Sequence, residues 1–404
     1  MIDHQQSCSS MNTSDKPVIL TFIGHYLPGY KSGGILRTIV NTVDHLCDEF
    51  EFRIVTRDRD LGDDKPYADI KLNQWQQVGN AMVYYLPPQS GSLKEILKLI
   101  VGTPHQVLYL NSFFDPLTIK VLLNRKLRKY ISKPLIVAPW GEFAWASLKQ
   151  KHLKKFIFIK AAMLLGLYNN VTWRASSEFE KLDIIKVMNV KSDTIQITGD
   201  FPIKNIPYAL PDVAFKPPPD GEGLKLVFLS RISREKNLDY ALKVLNKVNA
   251  RVVFDIYGPA ENETYWKECR ELISQLPANV IVNYLGSVNP NQVANIFSHY
   301  DLFLFPTGGE AYGHVIAESL ITGTPVLIST ETPWRNLETD GIGWDIDLVK
   351  MDSFVETIET FALSSHNDRL KKRAFIQAKV MKRLSDPAVI ETNRQLFLKG
   401  QPLQ

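Results

Sequence analysis

The 404-residue sequence predicts an α/β protein built from two doubly wound, Rossmann-like units. Three observations carry this expectation. Short apolar runs that read as buried strands alternate with amphipathic helical patterns along most of the chain. The alternation breaks between 205 and 223, where Pro207, Pro211, Pro217, Pro218, Pro219, Gly221 and Gly223 crowd together, and then it restarts. The chain is also long enough to bury two cores. Strands alternating with helices of this length argue for parallel sheets with right-handed crossovers.

The elements follow in order. Residues 1–16 are polar, lack an apolar central segment and read as a disordered lead-in, not a signal peptide. The first unit, 17–204, opens on a strand over Pro17–Gly24. A Gly-rich loop from His25 to Gly34 leads into a helix from about Ile35 to Cys47. Strands are expected over Phe50–Thr56, Ala81–Leu86, Gln106–Leu110, Pro134–Ala138 and Thr172–Ala175. Helices are expected over Leu93–Val101, Leu117–Tyr130, Ala144–Tyr168 and Ser177–Met188. After the linker at 205–223, the second unit spans 224–385. Its expected strands are Leu224–Leu229, Val252–Tyr257, Val280–Tyr284 and Leu302–Phe305. Its expected helices are Leu238–Val248, Glu263–Gln275, Pro290–Ser298 and one begun after Gly313 and stopped by Gly323 and Pro325. The last segment, 386–404, has helical apolar spacing at Val389, Ile390, Leu396 and Phe397.

Composition is that of a globular protein, and no apolar run reaches the ~20 residues a membrane span needs. Cys8, Cys47 and Cys269 show no metal or disulfide spacing. They are expected to be thiols in a reducing, cytoplasmic compartment. Charge is uneven. Residues 117–160 hold eleven Lys and Arg against one acid, Glu142, in a chain whose net charge is only +4. Lys149, Lys151, Lys154, Lys155 and Lys160 flank an apolar run from Phe156 to Leu165. A basic amphipathic surface over 120–160 suits an anionic membrane. No nucleic-acid recognition fold accompanies the charge, so no nucleic-acid partner is expected.

Glu310 and Glu318 are the most informative pair. They stand eight apart, one in a strand-to-helix loop and the other one to two turns into the helix. At ~1.5 Å rise per helical residue they lie on the order of 10 Å apart. That spacing suits the ribose and hexose ends of a nucleotide-sugar, with the helix N-terminus between them facing its diphosphate. Arg231 and Lys236 stand five apart in another strand-to-helix loop. An Arg fork and a Lys point charge there can converge on a diphosphate. Gly33 and Gly34 open a helix where backbone amides can approach a phosphate, although no Walker A ending follows. Tyr257-Gly258 and Leu285-Gly286 each put a small residue at a strand end, where a base or ribose can pack. The Asp58/Asp60 and Asp345/Asp347 pairs lie outside these loops, so no metal is assigned to them.

Four blocks of the second unit carry a resemblance: Ser230-Arg-Ile-Ser-Arg-Glu-Lys-Asn, Tyr257-Gly-Pro, Leu285-Gly-Ser-Val, and Glu310 to Glu318 continuing to Gly323-Thr-Pro-Val. In order and spacing they resemble the nucleotide-binding half of retaining family-4 (group 1) glycosyltransferases. The resemblance implies the GT-B fold, two Rossmann-like domains facing across a cleft. It implies that Arg231 and Lys236 hold the diphosphate and that Glu310 contacts the transferred sugar. Glu318 would accept from the ribose hydroxyls, and amides around Tyr312, Gly313 and His314 would cap the phosphates. Gly33 and Gly34 would approach the diphosphate from the first unit. It also implies that the C-terminal helix returns to the first domain.

Ala138-Pro-Trp-Gly-Glu resembles a block of the subgroup that builds bacterial surface polysaccharides, with Trp140 where an Arg is usual. On the acceptor side His25 and Glu142 are the candidates, with His152 a further histidine to place. The implied function is transfer of a hexose from a nucleotide-diphosphate sugar to a glycan acceptor, lipid-linked, in polysaccharide or lipopolysaccharide biosynthesis. No metal and no cofactor beyond the sugar nucleotide are expected. A nucleotide-sugar epimerase of similar fold and a non-catalytic scaffold are the alternatives.

Overall fold

The structure is a computed structural model that describes residues 16–128, 133–149, 152–202, 204, 223–260, 262–289, 292–384 and 386–399. Most of the expected lead-in and linker lies outside these described residues. The chain divides into two compact units, Met1–Lys204 with Pro387–Gln404, and Asn205–Asp386.

The first unit is built on β1 (Val18–Phe22), α1 (Gly34–Leu46), β2 (Glu51–Arg57), β3 (Trp75–Val78), β4 (Ala81–Leu86), α2 (Leu93–Gly102) and β5 (Val107–Asn111). It continues through α3 (Pro116–Arg128), β6 (Leu135–Ala138), α4 (Trp145–Lys149), α5 (His152–Leu164), β7 (Thr172–Ala175), α6 (Glu178–Met188) and β8 (Ile195–Ile197). The strands form one sheet in the order β3-β4-β2-β1-β5-β6-β7-β8. Strands β1, β5 and β6 are buried at every position, as sheets covered on both faces require. Helix α1 lays Leu36, Ile39, Val43 and Leu46 on the sheet at helical spacing. A capping box between Ser92 and Glu95 starts α2, and Ser177 caps α6.

The second unit runs β9 (Leu224–Leu229), α7 (Leu238–Leu245), β10 (Val252–Tyr257), α8 (Glu263–Ile273), β11 (Val280–Gly286), α9 (Val293–Ser298) and β12 (Leu302–Phe305). Then come α10 (His314–Ile321), β13 (Val326–Ser329), β14 (Gly343–Ile346), α11 (Met351–Ala362) and α12 (His366–Leu384). Its parallel sheet has the order β11-β10-β9-β12-β13-β14. The order reverses between β9 and β12, so the loops leaving these two neighbouring strands lie side by side at the carboxyl edge of the sheet.

The last helix, α13 (Pro387–Lys399), packs within the first unit. The Phe397 ring meets those of Phe50, Phe52 and Tyr109 at centroid distances of 5.6, 5.7 and 5.4 Å. Asn393 donates to the Gly199 carbonyl at 2.8 Å. Burying Leu396 and Phe397 contributes roughly 2–3 kcal/mol each.

Several features go beyond the sequence expectation, among them β8, β13 and α11, which were not among the expected elements. The first sheet is not wholly parallel, because β3 pairs antiparallel with β4 at its edge. Its sequence, Trp-Gln-Gln-Val, has too little apolar alternation to read as a strand. The helical patterns expected over Ala144–Tyr168 are α4 and α5, with residues 150–151 between them outside the described residues. Helix α12 was not among the expected elements, and its sequence is rich in Lys and Arg. Yet Arg373 of α12 is buried and donates to the carbonyls of Tyr300, Thr322 and Ser298 at 2.7, 3.0 and 3.3 Å. It satisfies main-chain acceptors at the ends of α9 and α10 that would otherwise be orphaned.

Candidate functional site

The β9 loop is shaped by backbone bonds to its neighbour. Ser230 N–H donates to Tyr257 O at 3.0 Å and Ile232 N–H to Pro259 O at 2.9 Å. A short 3-10 turn, Arg234–Lys236, follows, and Asn237 then takes a positive φ of 55° to start α7. This folds the Lys236 side chain inward, where it is 8% exposed. Gly258 makes the arrangement possible. Its φ is 134°, and a Cβ there would sit 1.8 Å from Ser230 O. Glycine is what lets the β10 loop press against the Arg231 loop.

The β12 loop meets the β9 loop directly. Gly308 N–H donates to Glu235 O at 2.6 Å, and Thr307 Oγ1 lies 3.2 Å from the same oxygen. Glu310 N–H is held by Glu331 O at 3.1 Å. The outcome is a cation–carboxylate contact 74 residues apart in sequence: Lys236 Nζ donates to Glu310 Oε1 at 2.7 Å. Lys236 also lies 3.4 Å from Glu235 Oε1. Burial alone would lower the Lys236 pKa, but the Glu310 and Glu235 carboxylates outweigh it and hold the ammonium above its ordinary value. The group is therefore a cation across the physiological range.

Gly313, at φ 82°, starts α10 without a side-chain cap. The preceding turn is fixed by Trp334, whose indole N–H donates to Tyr312 O at 2.7 Å. Tyr312 and His314 lie ring against ring at 4.8 Å. Glu318 follows within α10 and is buried. The structure thus assembles Arg231, Lys236, Glu310, Tyr312, Gly313, His314 and Glu318 on the two loops, and the helix between them, where the strand order reverses. Tyr257 is committed elsewhere. Its hydroxyl bonds Tyr300 at 3.0 Å, which in turn donates to Asp255 at 2.6 Å. Gly286, at φ 76°, accepts from Gly258 N–H at 2.8 Å and has open space where a Cβ would stand.

In the first unit the candidates are more dispersed. Gly33, at φ 71°, starts α1, again without a side-chain cap, and Gly34 is exposed. His25 Nδ1 bonds Arg59 O at 3.0 Å. His152 is exposed on α5 and stacks on Phe156. Glu142 is tied into the loop after β5: Ser112 Oγ donates to one oxygen at 2.6 Å and Phe113 N–H to the other at 2.5 Å. Burial pushes its carboxyl up to about 7, against the opposing pull of those hydrogen bonds and of the Lys155 charge. Glu142 therefore shapes the loop, and an acceptor would meet it only after its present bonds yield. Trp140, at φ 55°, presents its ring 4.0 Å from the Arg174 guanidinium. The cation at this corner comes from β7, not from position 140.

Of the aspartate pairs, Asp58 is bonded to the Arg59 guanidinium and the other three hold backbone. Asp60 accepts from Tyr30, Lys31 and Leu61 N–H at 2.7, 3.0 and 2.8 Å. Asp345 accepts from Leu337 N–H at 2.9 Å. Among the described residues no group of three His, Cys, Asp or Glu is arranged to hold a metal. Sequence reasoning missed Thr307, Glu235 and Trp334. Trp334 acts through a bond to loop backbone, Thr307 through several contacts of its hydroxyl with neighbouring loops, and Glu235 through both its carbonyl and its carboxylate; none has a spacing signature.

The basic stretch is displayed on α4 and α5. Trp145, Leu153, Ile157 and Leu164 are 75%, 69%, 58% and 89% exposed, with Lys154 and Lys160 exposed on α5. Lys155 departs from the expected outward face: it turns in to Ser147 O at 2.7 Å and lies 5.2 Å from the Phe114 ring. Lys151 lies outside the described residues. Among the described residues no helix is long and apolar enough to cross a membrane.

Residues 211–378 match the family Glycosyl transferases group 1. An uncharacterized 41.2 kDa protein in the cps region of Klebsiella pneumoniae is 24% identical over 150 residues, 37% of this chain and 39% of that protein. The chain spans 36–39% of the length of this and two further curated relatives that it matches. Over nearly the whole chain the fold is that of solved glycosyltransferases. The Anabaena Alr3699/HepE structure in complex with UDP and glucose superposes with a TM-score of 0.66 at 15% identity, covering 94% of this chain and 98% of that one. WaaG, a glycosyltransferase involved in lipopolysaccharide biosynthesis, gives 0.62 at 13% identity, covering 90% and 95%. The architecture of the two α/β units is GT-B.

Proposed function

Because its second unit carries a Glycosyl transferases group 1 domain on a GT-B fold, we propose that this chain is a retaining, metal-independent hexosyltransferase. It moves a hexose from a nucleotide-diphosphate sugar to a glycan, lipid-linked acceptor in surface-polysaccharide biosynthesis. The observation that carries the reading is the Lys236–Glu310 contact at the strand-order reversal. Glycosyl transfer builds positive charge at the sugar's reacting carbon and negative charge on the departing diphosphate. A buried ammonium bonded to a carboxylate offers both signs within one contact. Arg231, Lys236 and the N-terminal end of α10 stabilise the leaving diphosphate, the part a divalent cation plays in other transferases. Glu310 contacts the hexose, and Glu318 the ribose.

The acceptor side lies in the first unit, where the exposed apolar and basic face of α4 and α5 supports peripheral docking on the inner, anionic face of the cytoplasmic membrane. Each basic residue near such a surface contributes ~1 kcal/mol. Two experiments test these assignments. Wild-type protein incubated with a panel of sugar nucleotides should release the nucleoside diphosphate from one of them, and Glu310→Gln should not; equal release by both proteins would remove Glu310 from the reaction. Lys154→Glu with Lys160→Glu should release the protein from anionic vesicles, and unchanged co-sedimentation would retire the membrane assignment.

A further inference from the structure

Thr307 is fully buried just beyond β12, and nothing in the donor chemistry above calls on it. We propose that Thr307 is a positioning residue that, together with Lys236, pins one oxygen of Glu310 and leaves the other for the transferred sugar. The proposal rests on the donor-site reading and names a residue that reading does not use.

A threonine hydroxyl has one proton to give. Three acceptors stand within reach of Thr307 Oγ1: Gly309 O at 3.1 Å, Glu235 O at 3.2 Å and Glu310 Oε1 at 3.4 Å. In return Oγ1 accepts from Gly309 N–H at 3.3 Å. The hydroxyl thus touches the Lys236 loop, its own loop and the Glu310 carboxylate at once. Glu310 Oε1 is the same oxygen that receives Lys236 at 2.7 Å. Among the described residues, Oε2 of Glu310 receives no hydrogen bond. Both side-chain donors converge on one oxygen, and the other keeps its acceptor capacity.

The backbone around Thr307 is itself fixed. Its carbonyl accepts from the Ser329 hydroxyl at the end of β13, and Gly308 N–H beside it donates to Glu235 O at 2.6 Å. With one proton and three acceptors in reach, the hydroxyl can donate to only one of them at a time. A charged carboxylate draws the strongest bond of the three once it is drawn closer. Holding a reacting group within a fraction of an ångström is worth large factors in rate.

The experiment uses full-length protein carrying Thr307→Val, Thr307→Ser or Thr307→Val with Glu310→Gln. A sugar-nucleotide panel first identifies the donor that wild-type protein binds and turns over. Thr307→Val keeps the shape and removes the bonds, and Glu235 O retains Gly308 N–H, so the fold should persist. The expected result is a fall in kcat on the order of 10- to 100-fold. KM and the Kd of the sugar-free nucleoside diphosphate should stay within about threefold, and Thr307→Ser should recover most of the rate. The double variant should be no slower than Glu310→Gln alone. Wild-type kcat in Thr307→Val would overturn the proposal. So would a loss of nucleotide affinity that Thr307→Ser fails to restore. If wild-type protein binds no sugar nucleotide, the donor-site reading itself falls and takes the proposal with it.

Discussion

Lys236 reaches from the loop after β9 to the loop after β12 and donates to Glu310 at 2.7 Å. The two side chains are only 9% and 15% exposed. Each therefore depends on the other for compensation of its charge. Lys236→Met should destabilise the second unit by up to about 3 kcal/mol, because it leaves a partly buried carboxylate alone. Adding Glu310→Gln should recover part of that loss. Urea denaturation of the three variants measures it, and strictly additive losses would contradict the pairing. The Lys236 pKa is raised, so its contribution is complete below the ordinary lysine pKa and is lost only as pH rises through the folded value. No change from Lys236 is expected between pH 5 and 9.

Arg231→Ala should weaken nucleoside diphosphate binding on the order of 10- to 100-fold, as loss of a bidentate charged contact does. The bare nucleoside should lose little. Calorimetry with both ligands decides, and equal losses would take Arg231 away from the diphosphate.

Glu318→Gln should lower affinity for a ribonucleotide several-fold, roughly the worth of one charged hydrogen bond. The 2′-deoxy analogue should suffer less. Equal effects on both analogues would move Glu318 off the ribose.

Gly258 and Gly286 should separate sharply on substitution by alanine. At Gly258 the new Cβ would sit 1.8 Å from Ser230 O, so the β9 loop must move. A loss of about 2–4 kcal/mol and of diphosphate binding is expected. At Gly286 there is open space and only a positive φ of 76°, a cost of about 1 kcal/mol. Thermal unfolding of the two variants checks the contrast; similar losses would refute it.

Glu142 gives a pH dependence of opposite sign to that of a salt-bridged carboxylate. Its pKa rises from an ordinary 4.5 to about 7 on folding, chiefly through burial. The folded state then holds the proton more tightly than the unfolded state. Stability contributed by the neutral carboxyl is complete below about 4.5, declines as pH rises to about 7, and levels off above. Glu142→Gln should flatten that decline in urea titrations of the first unit. An unchanged pH profile would mean that the carboxyl titrates in its ordinary range.

The two-unit α/β plan was legible because strands buried on both faces, such as β6 and β12, are written as unbroken apolar runs. The same rule hid β3, a polar edge strand. It also hid α12, whose buried Arg373 serves main-chain carbonyls and so looks solvated in sequence. At the site, the residue types of Arg231, Lys236, Glu310 and Glu318 pointed to a sugar nucleotide. Their mutual contacts did not. Lys236 and Glu310 are joined by loop geometry across 74 positions, through Gly308 and Thr307, neither of which carries a pattern. Glu142 stood out as the lone acid in a basic stretch, yet its role in the fold comes from Ser112 and Phe113, 30 and 29 positions away in the chain.

The most direct test of the donor site is thermal stabilisation by a panel of nucleoside diphosphates and their sugars, on wild-type protein and Arg231→Ala. At ligand near 100 times Kd, binding adds about 2.7 kcal/mol, a rise of roughly 5–10 °C for a unit of this size. The account predicts such a shift with one nucleotide family in wild-type protein and its loss in Arg231→Ala. No shift with any member of the panel, or a shift that Arg231→Ala leaves intact, would contradict it.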